Sequence, residues 1–551
     1  PLPGQPLKSR PCPVPYQVSL VLIDGPAPHE LHLPSDKGRA KGKRYPSLRR
    51  TGSPASLLAG VRSPKPIHTM NRRELLQLGP LALAAASRRA SGQMVMLPGP
   101  ASPQPAEPTS ASDITLRIAP VTVELAPDRI LSTIGYNGTS PGPVLRMKEG
   151  KPVTVNVVND TDAPELVHWH GFLIPTDVDG AEEEGTPAVP ARSSRRYQFT
   201  PTPSGSRWYH SHAMAMADLH RGAFTGQFGF VYIEPASNPG AYDQELFLAL
   251  RDWEPFFTTQ MVDMDELDDP NAPQPERPAA LNTAPNGLEV TSTTYSINDK
   301  ALGAGEPIRV TAGQRVLFHF LNASAIENRR ISLGGHKFQV IALDGNPVPN
   351  PALVETLFLG VGERVCAIVE MNNPGNWILG EPTDLVRNAG LGILVEYANQ
   401  HHEPRWIKPA SLLWDYTAFA NPPAAAPSTA QNIDMVFEKL PGGVGKFNTF
   451  TINGKSYPHD NEFLLHEGQR YRLTFRNRTD DAHPLHMHRH QWELVDFNGK
   501  PTAGLIKDTV VVPFYGRAAV EFTANQPSLA LFHCHMQAHM DYGFKALFRY
   551  A

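Results

Sequence analysis

The chain has 551 residues and nearly balanced charge, 50 Lys+Arg against 54 Asp+Glu for a net −4. That length allows two to four domains with ample core, and no apolar run is long enough to span a bilayer as a helix, so stable membrane insertion is not expected. Proline (55) and glycine (43) are abundant, which suits strands joined by turns.

Residues 1–69 are rich in Pro, Lys and Arg, show neither helical nor strand period, and read as a disordered or upstream segment. Met70 then opens Asn71-Arg72-Arg73-Glu74-Leu75-Leu76, followed by an apolar stretch over 78–86 and small residues. Residues 70–92 read as an export signal of twin-arginine type, cleaved within 86–93, and predict a periplasmic or secreted protein. Residues 1–92 hold 15 Lys+Arg and 4 Asp+Glu, so residues 93–551 carry 35 against 50, a net −15. An acidic mature chain argues against a nucleic-acid partner. Cleavage also removes Cys12, leaving Cys366 and Cys534; with Cys534 on a metal, no intramolecular disulfide can form.

One pattern is written three times. Gly150 to Asn159, Gly313 to Asn322 and Gly468 to Asn477 each span nine residues. Between them stand Val153/Val155/Val157, Val316/Phe318/Phe320 and Tyr471/Leu473/Phe475, the period-two pattern of a strand with one buried face. Asp179-Gly180, Asp344-Gly345 and Asn498-Gly499 come after them as predicted turns. The pattern predicts an all-β chain of three β-sandwich modules, at 113–237, 238–400 and 401–551, with surface loops at 264–280 and 421–429.

The repeats also locate the chemistry. His168 and His170 stand eighteen and twenty residues after Gly150, and His486 and His488 at the same offsets after Gly468; Gly313 gives Ile331 and Leu333. Trp208-Tyr209-His210-Ser211-His212 in the first module matches Leu531-Phe532-His533-Cys534-His535 in the third, where the middle one offers Trp377-Ile378-Leu379-Gly380-Glu381. Four His-x-His pairs from two related modules predict a metal site at their interface, with the middle module as a spacer.

Alternate residues of an extended segment point to opposite faces, so Cys534 faces one way and His533 and His535 the other. A thiolate can then hold one metal while its neighbours hold others across the same strand. Neither Cys12 nor Cys366 has a CxxC partner, which argues against structural zinc. Two imidazoles with one thiolate suit copper; His539 can supply one, and the second comes from elsewhere in the chain.

With His168-Trp169-His170-Gly171, His210-Ser211-His212, His483-Pro484-Leu485-His486-Met487-His488 and His533-Cys534-His535 with His539, the chain resembles the multicopper oxidases over about 440 residues. The resemblance implies three consecutive cupredoxin-like Greek-key domains and four copper ions. Cys534, His483 and His539 would bind a type 1 copper, and His168 and His486 a type 2 copper. His170, His210, His212, His488, His533 and His535 would bind a type 3 pair. It implies four one-electron oxidations of a phenol or aromatic amine coupled to reduction of O₂ to water. The alternatives are oxidation of Cu(I) or Fe(II), or a non-catalytic exported protein of this fold, against which the full ligand set counts.

The resemblance also carries two catalytic assignments. Asp179 matches an acid near the cluster, with a turn residue before Gly180 as the lesser alternative. Phe544 falls on the axial position of the type 1 copper. Met540 stands near a place where some members carry Glu, which puts a second proton-relay carboxylate in doubt. Met214, Met216, Met536 and Met540 read as core filler rather than Cu(I) guides. His220, His319, His336, His401, His402, His459, His466 and His490 read as structural or surface residues. Asn137, Asn159, Asn322 and Asn477 open glycosylation sequons that carry little weight behind a bacterial-type leader.

Overall fold

A computed structural model describes residues 112–235, 242–259, 286–423, 428–458 and 462–551. The leader and its arginine pair lie outside the described residues, as do Cys12, His459 and the loop at 264–280.

Each repeat forms a strand: Val153–Asn159, Arg315–Asn322 and Arg470–Asn477. Each lies parallel to an early strand of its own module, Ile114–Ala126, Gln244–Thr258 or Gln431–Leu440. On its other side each lies antiparallel to a later one, Ser193–Phe199, Arg364–Glu370 or Arg517–Thr523. Parallel neighbours that are not consecutive require a crossover, which gives the Greek-key character. The alternation works as expected in the third copy, where Tyr471, Leu473 and Phe475 are fully buried and Arg470 and Arg476 face solvent.

Strands between residues 114 and 234 make two four-stranded sheets; those between 244 and 397, and again between 431 and 550, make a six- and a five-stranded sheet. The fold is therefore all-β, three consecutive cupredoxin-like sandwiches. One continuous apolar core runs through the second and third, including Phe318, Phe320, Leu473, Phe475 and Phe532; the first has its own around Val155 and Trp169.

The asparagine that closes each repeat ties down the loop after it. Asn159 Nδ2 donates to the carbonyls of Ala163, Val189 and Pro190, Asn322 Nδ2 to those of Glu327 and Leu359, and Asn477 Nδ2 to those of Asp481, Val512 and Pro513. Their Oδ1 atoms accept the amides of Thr161, Ser324 and Thr479. All three are buried, so among the four sequons only Asn137 presents an exposed side chain.

Two of the three expected turns close hairpins, with positive φ at Asp344, Gly345, Asn498 and Gly499. The first does not. Asp179 instead ends a single helical turn, Thr176–Asp179, and its side chain is buried. Gly180 comes next at φ 108 because this backbone packs under the His168 strand, where a Cβ would collide with the Val167 carbonyl.

Candidate metal centre

In the first sandwich Val167–His170 pairs with Gly205–Ser211, placing His168 opposite His210. In the third, His483–Met487 pairs with Leu529–Cys534, placing His486 opposite His533. The matching strands of the middle sandwich, Arg329–Leu333 and Asn376–Gly380, pair likewise but present Ile331, Leu333 and Leu379. Equal backbone frames thus carry imidazoles in two modules and aliphatic side chains in the other.

The last of these strands divides its side chains by face. Cys534 Sγ lies 3.6 Å from both His483 Nδ1 and His539 Nδ1, which are 3.2 Å from each other. His533 Nε2 points the opposite way, 3.1 Å from His488 Nε2 and 3.5 Å from His212 Nε2. His535 Nε2 lies 3.2 Å from His170 Nδ1, with the His210 ring centred 5.1 Å away. His168 and His486 are left facing each other at 5.7 Å between ring centres. The eight clustered imidazoles therefore sort into two trios and a pair, beside a separate Cys–His–His pocket.

Hydrogen bonds fix which ring nitrogen is available. A carbonyl or carboxylate can only accept, so the nitrogen facing it carries the proton and the other presents its lone pair inward. His168, His210, His486 and His533 direct Nδ1 to the carbonyls of Asp179, Ser211, Asp508 and Cys534 at 2.7–2.9 Å. His488 Nδ1 donates to Asp179 Oδ2 at 2.7 Å. His170 is turned the other way, with Nε2 3.1 Å from Asp508 Oδ1 and 3.0 Å from Thr509 Oγ1. Burial, and then neighbouring imidazoles, hold His170, His210, His212, His488, His533 and His535 well below their ordinary pKa. They are neutral, as ligation requires.

These residues fit metal ions. His168 Nε2, His210 Nε2 and His486 Nε2 are buried with no hydrogen-bond partner among the described residues, a cost that a cation between them removes. Burial pushes the Cys534 thiol well above its ordinary range, so a thiolate there calls for a positive partner.

Phe544 is fully buried, with its ring 4.7 Å from that of His483 and 4.9 Å from that of Phe437. Its N–H donates to the His539 carbonyl and its own carbonyl accepts the Cys534 N–H. Asp179 Oδ2 also lies 3.2 Å from His168 Nδ1, so this carboxylate stands between one histidine of the facing pair and one of a trio.

Several residues here have no motif in the sequence. Glu184 ends the run Glu182-Glu183-Glu184, which looks like a solvated acidic stretch, yet it is buried. Its Oε1 accepts the Leu531 N–H at 2.5 Å and lies 3.8 Å from His488 Nδ1. Burial and the Asp179 carboxylate hold it well above the ordinary carboxylate range. Lys507-Asp508 does leave a trace, a charge pair inside the apolar run from Leu505 to Val512.

The spacer reading needs correction. The middle sandwich supplies no imidazole, but it walls the cluster: a Cβ on Gly362 (φ +86) would stand 2.8 Å from His535 Cδ2. Of the four methionines read as core filler, Met536 and Met540 are buried, whereas Met214 and Met216 are 44% and 42% exposed. The loop carrying the latter two is held at its backbone, through Asp541 Oδ2 accepting the amides of Ala215 and Met216, and Met214 Sδ lies 3.7 Å from Lys545 Nζ.

A Cys–His–His pocket joined by one strand to an eight-imidazole cluster, on three cupredoxin-like sandwiches, fits a copper-binding oxidoreductase. The chain belongs to the multicopper oxidase family, whose models match residues 118–238, 265–395 and 428–551. It is similar to multicopper oxidase MmcO of Mycobacterium tuberculosis, 28% identical over 481 residues that cover 84% of this chain and 92% of that protein. Laccase-2 of Botryotinia fuckeliana is 24% identical over 481 residues, covering 76% and 78%. The crystal structure of a multicopper oxidase from Pseudomonas thermotolerans superposes with a TM-score of 0.60 at 24% identity, covering 80% of this chain and all of that one, a likeness of fold.

Proposed function

We propose that the protein is a laccase-like oxidase that takes single electrons from phenols or aromatic amines at a site held by His483, Cys534 and His539. The cluster of His168, His170, His210, His212, His486, His488, His533 and His535 would hold three further coppers, four in all. Copper, when bound, supplies the one-electron redox chemistry by which four donor oxidations balance reduction of O₂, with four protons, to two waters. The protein's part is geometric. Residues His533, Cys534 and His535 join the two centres through bonds, and the His533 Nδ1–H donates to the Cys534 carbonyl at 2.8 Å. Asp179 Oδ1 is buried with no hydrogen-bond partner among the described residues, and we read it as the atom that passes a proton inward while Oδ2 stays engaged with His488.

The observation that favours an aromatic donor is the run of rings beside His539. Phe450, itself buried, packs on its ring at 4.1 Å, and Phe447 and Tyr542 stack at 4.1 Å and 15°, with the exposed Phe257 against Phe447. An exposed ring at the end of such a run suits a ring-bearing donor. Acids stand there too, Glu289 Oε2 lying 3.9 Å from His539 Nε2, which is what favours the second reading, a Cu(I) or Fe(II) donor. Against it, Lys439 Nζ sits among Asp481, Asp480 and Glu289, so an approaching cation meets an ammonium group.

Oxygen uptake by copper-loaded protein on 2,6-dimethoxyphenol beside Cu(I) decides between them. Turnover on the metal ion alone overturns the aromatic reading, and Cys534→Ser should abolish blue colour and turnover while the cluster stays filled. The leader supports export by the twin-arginine route, so Arg72→Lys with Arg73→Lys should strand the protein in the cytoplasm; continued export would reject that route.

A further inference from the structure

We propose that Arg364, from the middle sandwich, is a positioning residue for the copper cluster: it clamps Asp508 so that His170 holds its proton on Nε2 and turns Nδ1 inward. Asp508 serves two ligands on different modules. Its carbonyl accepts from His486 Nδ1 at 2.7 Å and its carboxylate faces His170 Nε2 at 3.1 Å. Arg364 grips that carboxylate with both arms, Nη1 to Oδ1 at 2.7 Å and Nη2 to Oδ2 at 2.5 Å. A planar fork on a carboxylate fixes direction as well as charge, which a lysine ammonium does not.

The clamp is itself fixed. Arg364 also donates to the Gly362 and Asp344 carbonyls, and Asp344 Oδ2 accepts the amides of Asp508 and Thr509. Arg207 of the first sandwich reaches Asp508 Oδ2 at 3.5 Å and the Asp344 carbonyl. Lys507 Nζ lies 2.9 Å from both Asp344 and Glu363. Three cations thus meet three carboxylates, all but excluded from water and drawn from all three sandwiches. Burial works against charge on Asp508, yet Arg364 and then Arg207 hold its pKa down to about 2.

The energetics favour a role in geometry over one in stability. Buried ion pairs seldom outweigh the cost of desolvating their members, so a network of this size is weakly explained as glue. Metal-ligand histidines depend on the acceptor behind them, and losing it weakens metal binding about 10- to 100-fold. Arg364 governs that acceptor without touching any imidazole, and the middle sandwich so takes part in building a centre to which it gives no ligand.

The proposal rests on His170 being a cluster ligand, and the test separates the two. Full-length holoprotein carrying Arg364→Lys is challenged with a chelator. Copper per chain, the blue absorption and the electron paramagnetic resonance of the non-blue copper are monitored together. The expected result is blue absorption as in the parent, with cluster copper released about 10- to 100-fold faster and an altered non-blue signal. Parental release and an unchanged signal would overturn the proposal. So would the same selective loss in Lys507→Met, which removes a buried cation whose ammonium group pairs with Asp344 and Glu363 rather than with the Asp508 carboxylate. Should Arg364→Lys fail to fold, Asp508→Asn replaces it, with faster cluster release expected and parental release again decisive against. Full copper content in His170→Ala would reject the ligand assignment itself; loss there with parental behaviour in Arg364→Lys would reject only the clamp.

Discussion

Replacing Asn477 by alanine, with Asn322→Ala as a matched control, tests whether the repeated asparagine acts on a ligand as well as on the fold. Asn477 Nδ2 makes contacts at 2.7, 3.0 and 3.4 Å, and Oδ1 accepts from Thr479 N and Oγ1, both at 2.9 Å. Asn322 makes two donor contacts at 2.9 Å and accepts one at 3.1 Å. At about 1 kcal/mol net per hydrogen bond, more where a buried partner is orphaned, the losses are roughly 3–4 and 2–3 kcal/mol. Both variants should therefore melt at lower temperature. The third module's loop touches a proposed copper ligand directly, because Thr479 Oγ1, held by Asn477, lies 2.6 Å from His483 Nε2. Asn477→Ala should also shift the blue band and weaken copper at Cys534 by about 10-fold or more, while Asn322→Ala keeps that band. Thermal melts and absorption titrations on copper-loaded protein measure both effects. Equal change of the blue band in the two variants, or in neither, would refute the reasoning.

Asp179→Asn should slow reoxidation of fully reduced enzyme by O₂ by about 10²-fold or more, since an amide cannot deliver a proton at neutral pH; stopped-flow reoxidation at the parental rate would leave Asp179 a structural residue. Phe544→Met should lower the reduction potential of the blue centre, because a thioether donates to Cu(II) where an apolar ring does not, and a redox titration giving an unchanged potential would place Phe544 off the copper. Glu245→Gln acts far from the cluster. Burial lowers the pKa of His319, but Cys366 and Glu245 more than offset it and raise it to about 9, while His319 in turn holds Glu245 below its ordinary value. The His319 contribution to stability is present below about pH 6.5 and fades as pH rises through about 9. The melting temperature of Glu245→Gln should thus fall below the parent's at pH 6.5, and the gap should narrow above pH 9 to the part owed to the Arg146–Glu245 pair, which persists there.

The three sandwiches were legible because their signal is local: a turn glycine, alternating apolar residues and a closing asparagine all act within ten residues. The histidines were legible because both modules place them at equal offsets on equal strands. The groups behind those histidines were not. Arg364 and Asp508 are 144 residues apart and Asp508 and His170 are 338 apart, and no spacing rule connects an arginine to a carboxylate across modules. Glu184 was hidden by its neighbours, Glu182 and Glu183, which gave a buried acid the look of a solvated run. At Asp179-Gly180 the expected hairpin turn failed, since its turn chemistry is ordinary; the resemblance pointed to an acid near the cluster, and the fold puts the carboxylate between His168 and His488. Met214 and Met216 failed because sulfur carries no sign of which face it will take.

The strand that ends at Cys534 has a consequence for how this chain can change over evolution. Because His533, Cys534 and His535 would serve three different metal positions through a two-residue alternation, the segment is a reading frame in space. Inserting or deleting one residue would exchange the faces, sending the thiolate toward the cluster and an imidazole toward the pocket of His483 and His539. Point substitutions here remove one ligand each, but a change of length scrambles all three of those positions at once. Variation in length is therefore expected in the loops between strands, where donor recognition around His539 can diversify while the spacing of the proposed metal positions is kept.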